Sequence, residues 1–349
     1  MKTFTNLYEE ITSVRNLFLA WKEFRRGKTK KKDVMRFEYR LEKNVFELHR
    51  DLRDKSYRHG PYKGFYITDP KRRHIHKAVV RDRVLHHAIY NKLYMLFDPT
   101  FISTSFSCRT GKGTHRGVVW LENATRKVSK NYTQPCFVLK CDIQKFFDSV
   151  DHTVLLAILR RKIKDTDTLR LLGEVIDSFA SGQSNLFVRK GLPIGNLTSQ
   201  LFANVYMNEF DQFMKHSMSV KHYARYTDDF VVVADNKQYL VDLLKPISDF
   251  LDNELKLSLH PNKVAIRTLH SGADYLGYVV LPHYKRLRTK TRRRVYRGLT
   301  KKMRECQNDE IANGNTKQSL NSYLGTLSHA NEHRVSENLK NLYWFLLNN

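Results

Sequence analysis

No segment of this 349-residue chain approaches the roughly 20 consecutive apolar residues of a membrane-spanning helix. The opening stretch, MKTFTNLYEEITSVRNLF, lacks the layout of a signal peptide: acids interrupt it and no small-residue cleavage site follows an apolar run. A cytoplasmic protein without a membrane partner is expected. Cysteine is scarce, and none of Cys108, Cys136, Cys141 and Cys306 forms a C-x-x-C pair, which argues against a zinc finger and for buried thiols. Internal repeats and low-complexity linkers are also missing. Acid is the other shortage. Asp and Glu number 35 against 61 Lys and Arg, a formal charge of +26, far beyond the needs of solubility. Such an excess marks a polyanion binder, with nucleic acid the first candidate.

The length suits two or three packed subdomains. Residues 7–55 read as amphipathic helix, interrupted by RRGKTKKKD at 25–33, a basic loop that either touches nucleic acid or is simply solvated. GPYKGFYITDPKRRHI, 60–75, reads as strands with a tight turn. Val84, Ile89, Leu93 and Leu96 make one face of a helix over 79–98, with His86 and His87 expected on its surface as RNA contacts. A buried strand begins at Phe137 and changes character after Asp142, and 153–181 read as helix. LFVRKGLPIGNLTSQLFANVYMNEFDQFMK follows as strand or hairpin, a Gly/Pro loop and a long helix. A hairpin over 222–234 and a helix over 238–256 come next. The tract 283–304 holds 11 Lys or Arg and no acid, after which helical periodicity resumes to Trp344. This order predicts an antiparallel sheet packed on helices, the α+β class.

Within the hairpin, YTDD sets Asp228 beside Asp229 between apolar strands. Adjacent Asp residues at a turn are commonly an exposed, turn-forming pair. Here a second strand ends in LKCDIQKFFD, presenting Asp142, and GLPIGNLTSQ lies between the two in sequence. Three carboxylates suit one or two Mg²⁺ ions, which prefer hard oxygen ligands and substrate phosphates. Paired metals serve phosphoryl transfer, and in a chain of this charge that points to nucleotides.

Taken together, FVLKCDIQKFFDSVDH, GLPIGNLTSQLFANVYMNEFD, YARYTDDFVVVAD and DYLGYVV resemble the consecutive palm motifs of reverse transcriptases. RRHIHKAVVRDRVLHHAIY and FISTSFSCRTGKGTHRGV resemble the family's finger motifs, and SYLGTLSHAN at 322–331 its thumb. The resemblance implies a right-hand polymerase: an N-terminal helical basic extension (1–56), fingers (57–136), a palm with part of the fingers inserted (137–281) and a helical basic thumb (282–349). It implies Asp142, Asp228 and Asp229 as catalytic metal ligands, joined by the carbonyl of Ile143, for two Mg²⁺ ions, with Mn²⁺ an alternative.

The same resemblance assigns the incoming dNTP. Arg73, with Lys71 and Arg72 as alternatives, and Arg81 fall where basic finger residues grip the triphosphate, for which a guanidinium is well shaped. Phe147 falls where an aromatic gate meets the 2′-hydroxyl; a core Phe beside Phe146 is the other reading. Gly195 lets backbone approach nucleotide and template, and Lys263 falls near the leaving pyrophosphate. Many relatives carry Gln before that glycine and end the motif in Ser-Pro. This chain has Ile194-Gly195 and ends Ser199-Gln200, a pattern similar to the enzymes of diversity-generating retroelements, which copy an RNA template with errors at adenines.

YTDD and VRDRVLHHAIYNKLY also resemble reverse transcriptases of antiviral defence systems, so a defence enzyme templated by a dedicated non-coding RNA stays open. A non-catalytic RNA-binding scaffold is the remaining alternative. Template RNA, RNA/DNA hybrid and dNTPs are the implied partners, with a small basic accessory protein in the retroelement case. Arg286, Arg288, Arg292, Arg293, Arg294 and Arg297 are expected to meet the nucleic-acid backbone, where neutralising phosphates gives affinity without reading sequence.

Overall fold

The computed structural model describes residues 6–69, 71–184, 188–307 and 313–348. Its strands are β1 (Tyr62–Ile67), β2 (Arg73–Ala78), β3 (Phe137–Asp142), β4 (Tyr223–Tyr226), β5 (Asp229–Ala234), β6 (Ala265–Thr268), β7 (Ala273–Tyr275), β8 (Tyr278–Leu281) and β9 (Tyr284–Leu287). Mixed with helices in antiparallel sheets, they realise the expected α+β class. The chain divides into two compact units.

The first unit comprises Met1–Thr110, Asp142–Lys221 and Lys245–Asn262. In the helix Val14–Arg25 the buried Leu17, Ala20, Trp21 and Phe24 recur at helical spacing, and the Ser13 hydroxyl caps the start by accepting from the Asn16 amide. The basic stretch expected as a loop does separate this helix from the next, Lys32–Glu38. Both lie near the helix Val80–Phe97, whose Ala88 carbonyl accepts from Asn16 Nδ2 at 3.1 Å. That helix buries Val84, Leu85, His86, Ala88, Ile89 and Leu93, so apolar neighbours surround it on most sides. His86 is therefore not a surface RNA contact: it is 1% exposed, with Nε2 3.2 Å from His59 Nε2. Burial first, then the neighbouring His59, pushes its imidazole down to about 3. The expected helix over 153–181 is two, His152–Lys162 and Thr166–Asp177, because the Asp165 carboxylate accepts from the amides of Asp167 and Thr168 and starts a new one. Leu186 and Phe187, expected in a strand or hairpin, lie outside the described residues. Beyond them Lys190 makes an isolated bridge to Asp151.

The second unit comprises Gly111–Cys141, His222–Leu244 and Lys263–Asn349. Its main sheet has the order β4-β5-β3-β6. Phe230, Val231, Val232, Val233 and Ala234 are all buried, as a continuous apolar run in a strand covered on both faces requires. The helix Thr114–Val128 packs against β4 and β5. A second sheet, β7-β8-β9, carries the chain in strand form to Leu287. The basic helix follows at Thr289–Gln307. It buries Val295, Leu299 and Met303, one every four residues, and leaves Arg293, Arg294 and Arg297 exposed. The helix expected over 238–256 is split at Leu243 into Lys237–Asp242 and Leu244–Glu254, with Pro246 in the first turn of the latter, where proline is tolerated.

Candidate active site

In the sheet unit, Tyr226 pairs with Asp229 as the last rung between β4 and β5, leaving Thr227-Asp228 as a two-residue turn. Thr227 has φ +58°, and a β-branched residue there is a true outlier. Strain of this kind is held only where surroundings over-determine it. Arg225, 0% exposed, supplies part of that restraint: its Nη1 donates to the Thr227 carbonyl at 2.9 Å. Sequence reading overlooked Arg225, although an arginine inside a buried strand was itself a signal.

Asp228 and Asp229 are half-buried. Lys140, on β3, holds its ammonium 3.9 Å from Asp229 Oδ1 and 4.0 Å from Asp274 Oδ1, and Arg288 Nη2 donates to the same Asp274 oxygen. The Cys141 thiol is pushed up to about 12, by burial and then by the negative charge of Asp229.

In the other unit, the Asp142 carbonyl accepts from the His260 amide at 2.8 Å, and the Gln144 amide donates to the Ser258 carbonyl at 2.9 Å. These two bonds flank the Ile143–Leu259 bridge, so the Ile143 carbonyl takes no part in it and remains an oxygen donor of the kind a hard cation accepts. Among the described residues no group of three or more His, Cys, Asp or Glu is assembled to hold a metal ion. The carboxylates and carbonyl available nevertheless suit Mg²⁺ by donor chemistry, and the ammonium beside Asp229 already marks that oxygen as attractive to a cation.

A cavity of about 570 Å³ opens in the same unit as Asp142, lined by Arg72, Arg73, His76, Lys145, Asp148 and Ile194 among others. It brings together two residues expected at the dNTP, Arg73 and Ile194. The Ile194 carbonyl accepts from the His76 amide at 3.0 Å, and Asn196 Nδ2 donates to the His76 carbonyl at 2.9 Å, so the loop is stitched to β2. Gly195 between them has φ +112°, and a Cβ there would come within 2.8 Å of Ile75 Cγ2. Only glycine suits that position. Burial, then the neighbouring His74, lowers the pKa of His76. Phe147 is half-buried in the short helix Phe146–Ser149, edge-on to Phe146, and its carbonyl accepts from the Leu192 amide at 2.6 Å.

Arg81, part-exposed, pairs with Asp51 at 2.7 Å and lies over the Tyr57 ring. Gln200 is exposed on the helix Leu197–Gln212, and Lys263 is exposed just before β6. Among the six arginines expected to meet nucleic acid, Arg286, Arg293, Arg294 and Arg297 are exposed and Arg292 is half-buried. Arg288, part-exposed, donates to Asp274.

Residues 68–280 match the family model described as reverse transcriptase (RNA-dependent DNA polymerase). The chain belongs to this family. Protein YkfC of Escherichia coli (strain K12) is 24% identical over 267 residues, covering 66% of this chain and 69% of that protein. The group II intron-encoded protein LtrA of Lactococcus lactis subsp. cremoris is 20% identical over 303 residues, covering 68% of this chain and 49% of LtrA. The chain thus spans about half the length of that relative. Among solved structures, a telomerase from Candida albicans in complex with a fragment of telomeric RNA aligns with a TM-score of 0.48 at 11% identity, covering 84% of this chain and 61% of that one. No helix among the described residues is long and apolar enough to cross a membrane.

Proposed function

We propose that this chain is an RNA-directed DNA polymerase that makes cDNA from a structured RNA template with loose fidelity, in a diversity-generating retroelement. The observation that carries the polymerase reading is the acid pair on a strained hairpin turn, Asp228 and Asp229, in a chain of the reverse transcriptase family. Asp142, Asp228, Asp229 and the Ile143 carbonyl would hold two Mg²⁺ ions, or Mn²⁺. If bound there, metal ions would supply Lewis-acid activation of an attacking hydroxyl and charge stabilisation at the leaving oxygen.

The chain's own residues do the rest. Arg73, with Arg72 and Lys145 on the same cavity, offers cations to a triphosphate. Phe147 excludes a 2′-hydroxyl by bulk. Ile194 supports the loose-fidelity reading, because an apolar side chain beside the nucleotide removes a hydrogen bond that a polar one would offer, and discrimination by hydrogen bonding weakens. The exposed arginines Arg286, Arg293, Arg294 and Arg297 offer charge to an RNA/DNA hybrid backbone.

Primer extension on RNA with Mg²⁺, with and without RNA co-purified from the native locus, tests this reading when the products are sequenced. Errors concentrated at template adenines are expected. Faithful or repetitive cDNA from one bound non-coding RNA would instead favour a defence enzyme, and no product from any template a scaffold. Asp142→Asn and Asp228→Asn should each abolish synthesis while leaving RNA affinity nearly unchanged; synthesis at the unmutated rate would remove the metal-ligand assignment.

A further inference from the structure

Within the sheet unit, four charges of alternating sign stand in a row: Asp229, Lys140, Asp274 and Arg288. Lys140 occupies the middle. Its ammonium is almost equidistant from the two carboxylates, 3.9 Å from Asp229 and 4.0 Å from Asp274, and its side chain is 25% exposed. Residues two apart on a strand emerge on one face, so Lys140 leaves β3 on the face that also bears Asp142.

Two adjacent carboxylates that are half-buried repel each other, and a nearby cation offsets that repulsion. A lysine does so with a compact point charge on a flexible stem, which can move between seats without rebuilding a fixed fork of hydrogen bonds. We propose that Lys140 is a positioning residue of the acid pair: it is the resident counter-cation of Asp229 in the metal-free chain and shifts to Asp274 when a divalent ion takes Asp229. Asp274 is the second seat. Arg288 donates to the same oxygen of that carboxylate and so helps hold it in place. The exchange keeps the ammonium paired in both states, so metal entry does not have to drive it into solvent. This inference rests on the proposal that Asp228 and Asp229 hold metal.

Mn²⁺ binding to the full chain, followed by electron paramagnetic resonance, and thermal melting with and without Mn²⁺ test it. Lys140→Met removes the competing cation and should tighten Mn²⁺ binding about tenfold, the effect of one charge some 4 Å away in a partly screened site. The same variant should lower the melting temperature of the metal-free chain more than that of the Mn²⁺-loaded chain. Asp274→Asn leaves Lys140 with Asp229 alone and should weaken Mn²⁺ binding several-fold, the opposite sign. Lys140→Arg keeps the charge but brings a fixed fork of hydrogen bonds, so it should not reproduce the tightening seen with Met. Unchanged or weaker Mn²⁺ affinity in Lys140→Met, or equal melting losses with and without metal, would overturn the exchange. Binding of Mn²⁺ by Asp229→Asn at unmutated affinity would remove the metal-site reading beneath it, a failure visible without Lys140.

Discussion

Arg225, closed off from solvent, donates from Nη1 to the carbonyl oxygen of Thr227 at 2.9 Å and so braces the turn that displays Asp228 and Asp229. Arg225→Ala should destabilise the chain by about 3 kcal/mol, since it leaves a cavity and an unmet carbonyl together. Urea unfolding measures this. Arg225→Lys should recover less than half of the loss, because an ammonium cannot reproduce the guanidinium fork.

Phe147 is held by its contact with Phe146 and by the bond its carbonyl accepts from Leu192. Because that bond is made by backbone, Phe147→Ala removes the ring without releasing the chain. Ribonucleotide incorporation should rise by about tenfold or more, in line with one to two kcal/mol of lost steric discrimination. Single-nucleotide insertion kinetics with dNTP and NTP measure it; an unchanged ratio would put the gate elsewhere.

His86 gives stability a pH dependence of definite sign. Free of the fold, a histidine takes its proton near 6.5, whereas burial holds His86 off until about 3. The unfolded chain therefore binds that proton first as pH falls. Stability present above 6.5 is lost progressively toward 3, at roughly 1.4 kcal/mol per pH unit on the steep part. His87, held down to about 4 chiefly by burial, acts in the same direction. Urea midpoints between pH 7.5 and 4.5 should fall accordingly, and His86→Gln should flatten the curve by close to one proton.

Arg293 and Arg297 lie on the exposed side of a helix whose other side is Val295, Leu299 and Met303. Changing both to Gln should leave folding intact. RNA/DNA hybrid binding should weaken for all sequences alike, and the slope of log affinity against log salt should fall by about 2. A slope that does not change would mean that this face does not meet phosphate.

Much of this was legible because hydropathy changes where function begins. β3 loses its apolar character at Asp142, and β5 becomes a run of valines after Asp229, so both acid positions were readable as strand ends. Asp165 was readable too, since Asp-Thr-Asp-Thr is a helix-start pattern, although helical periodicity across 153–181 concealed it. β9 was not readable: in Tyr-Lys-Arg-Leu, charge outweighs the alternation, and only pairing with β8 makes it a strand. His86 misled for a related reason. One apolar stripe predicts one buried face, but this helix is enclosed on several, and only tertiary neighbours determine that. The pairing of Lys140 with Asp229 and Asp274 joins three separated stretches, which no local pattern encodes.

The loop around Gly195 and the strand β2 are stitched at one residue, His76, by bonds to Ile194 and from Asn196, positions as much as 120 apart in the chain. Neither side can be reshaped alone, because a change in the loop's path must be matched by a shift of the hairpin, and Ile75 already crowds the glycine. A laboratory selection for a different copying error rate should therefore recover its changes in pairs, one from each side of the stitch, and single substitutions there should mostly be discarded for poor expression.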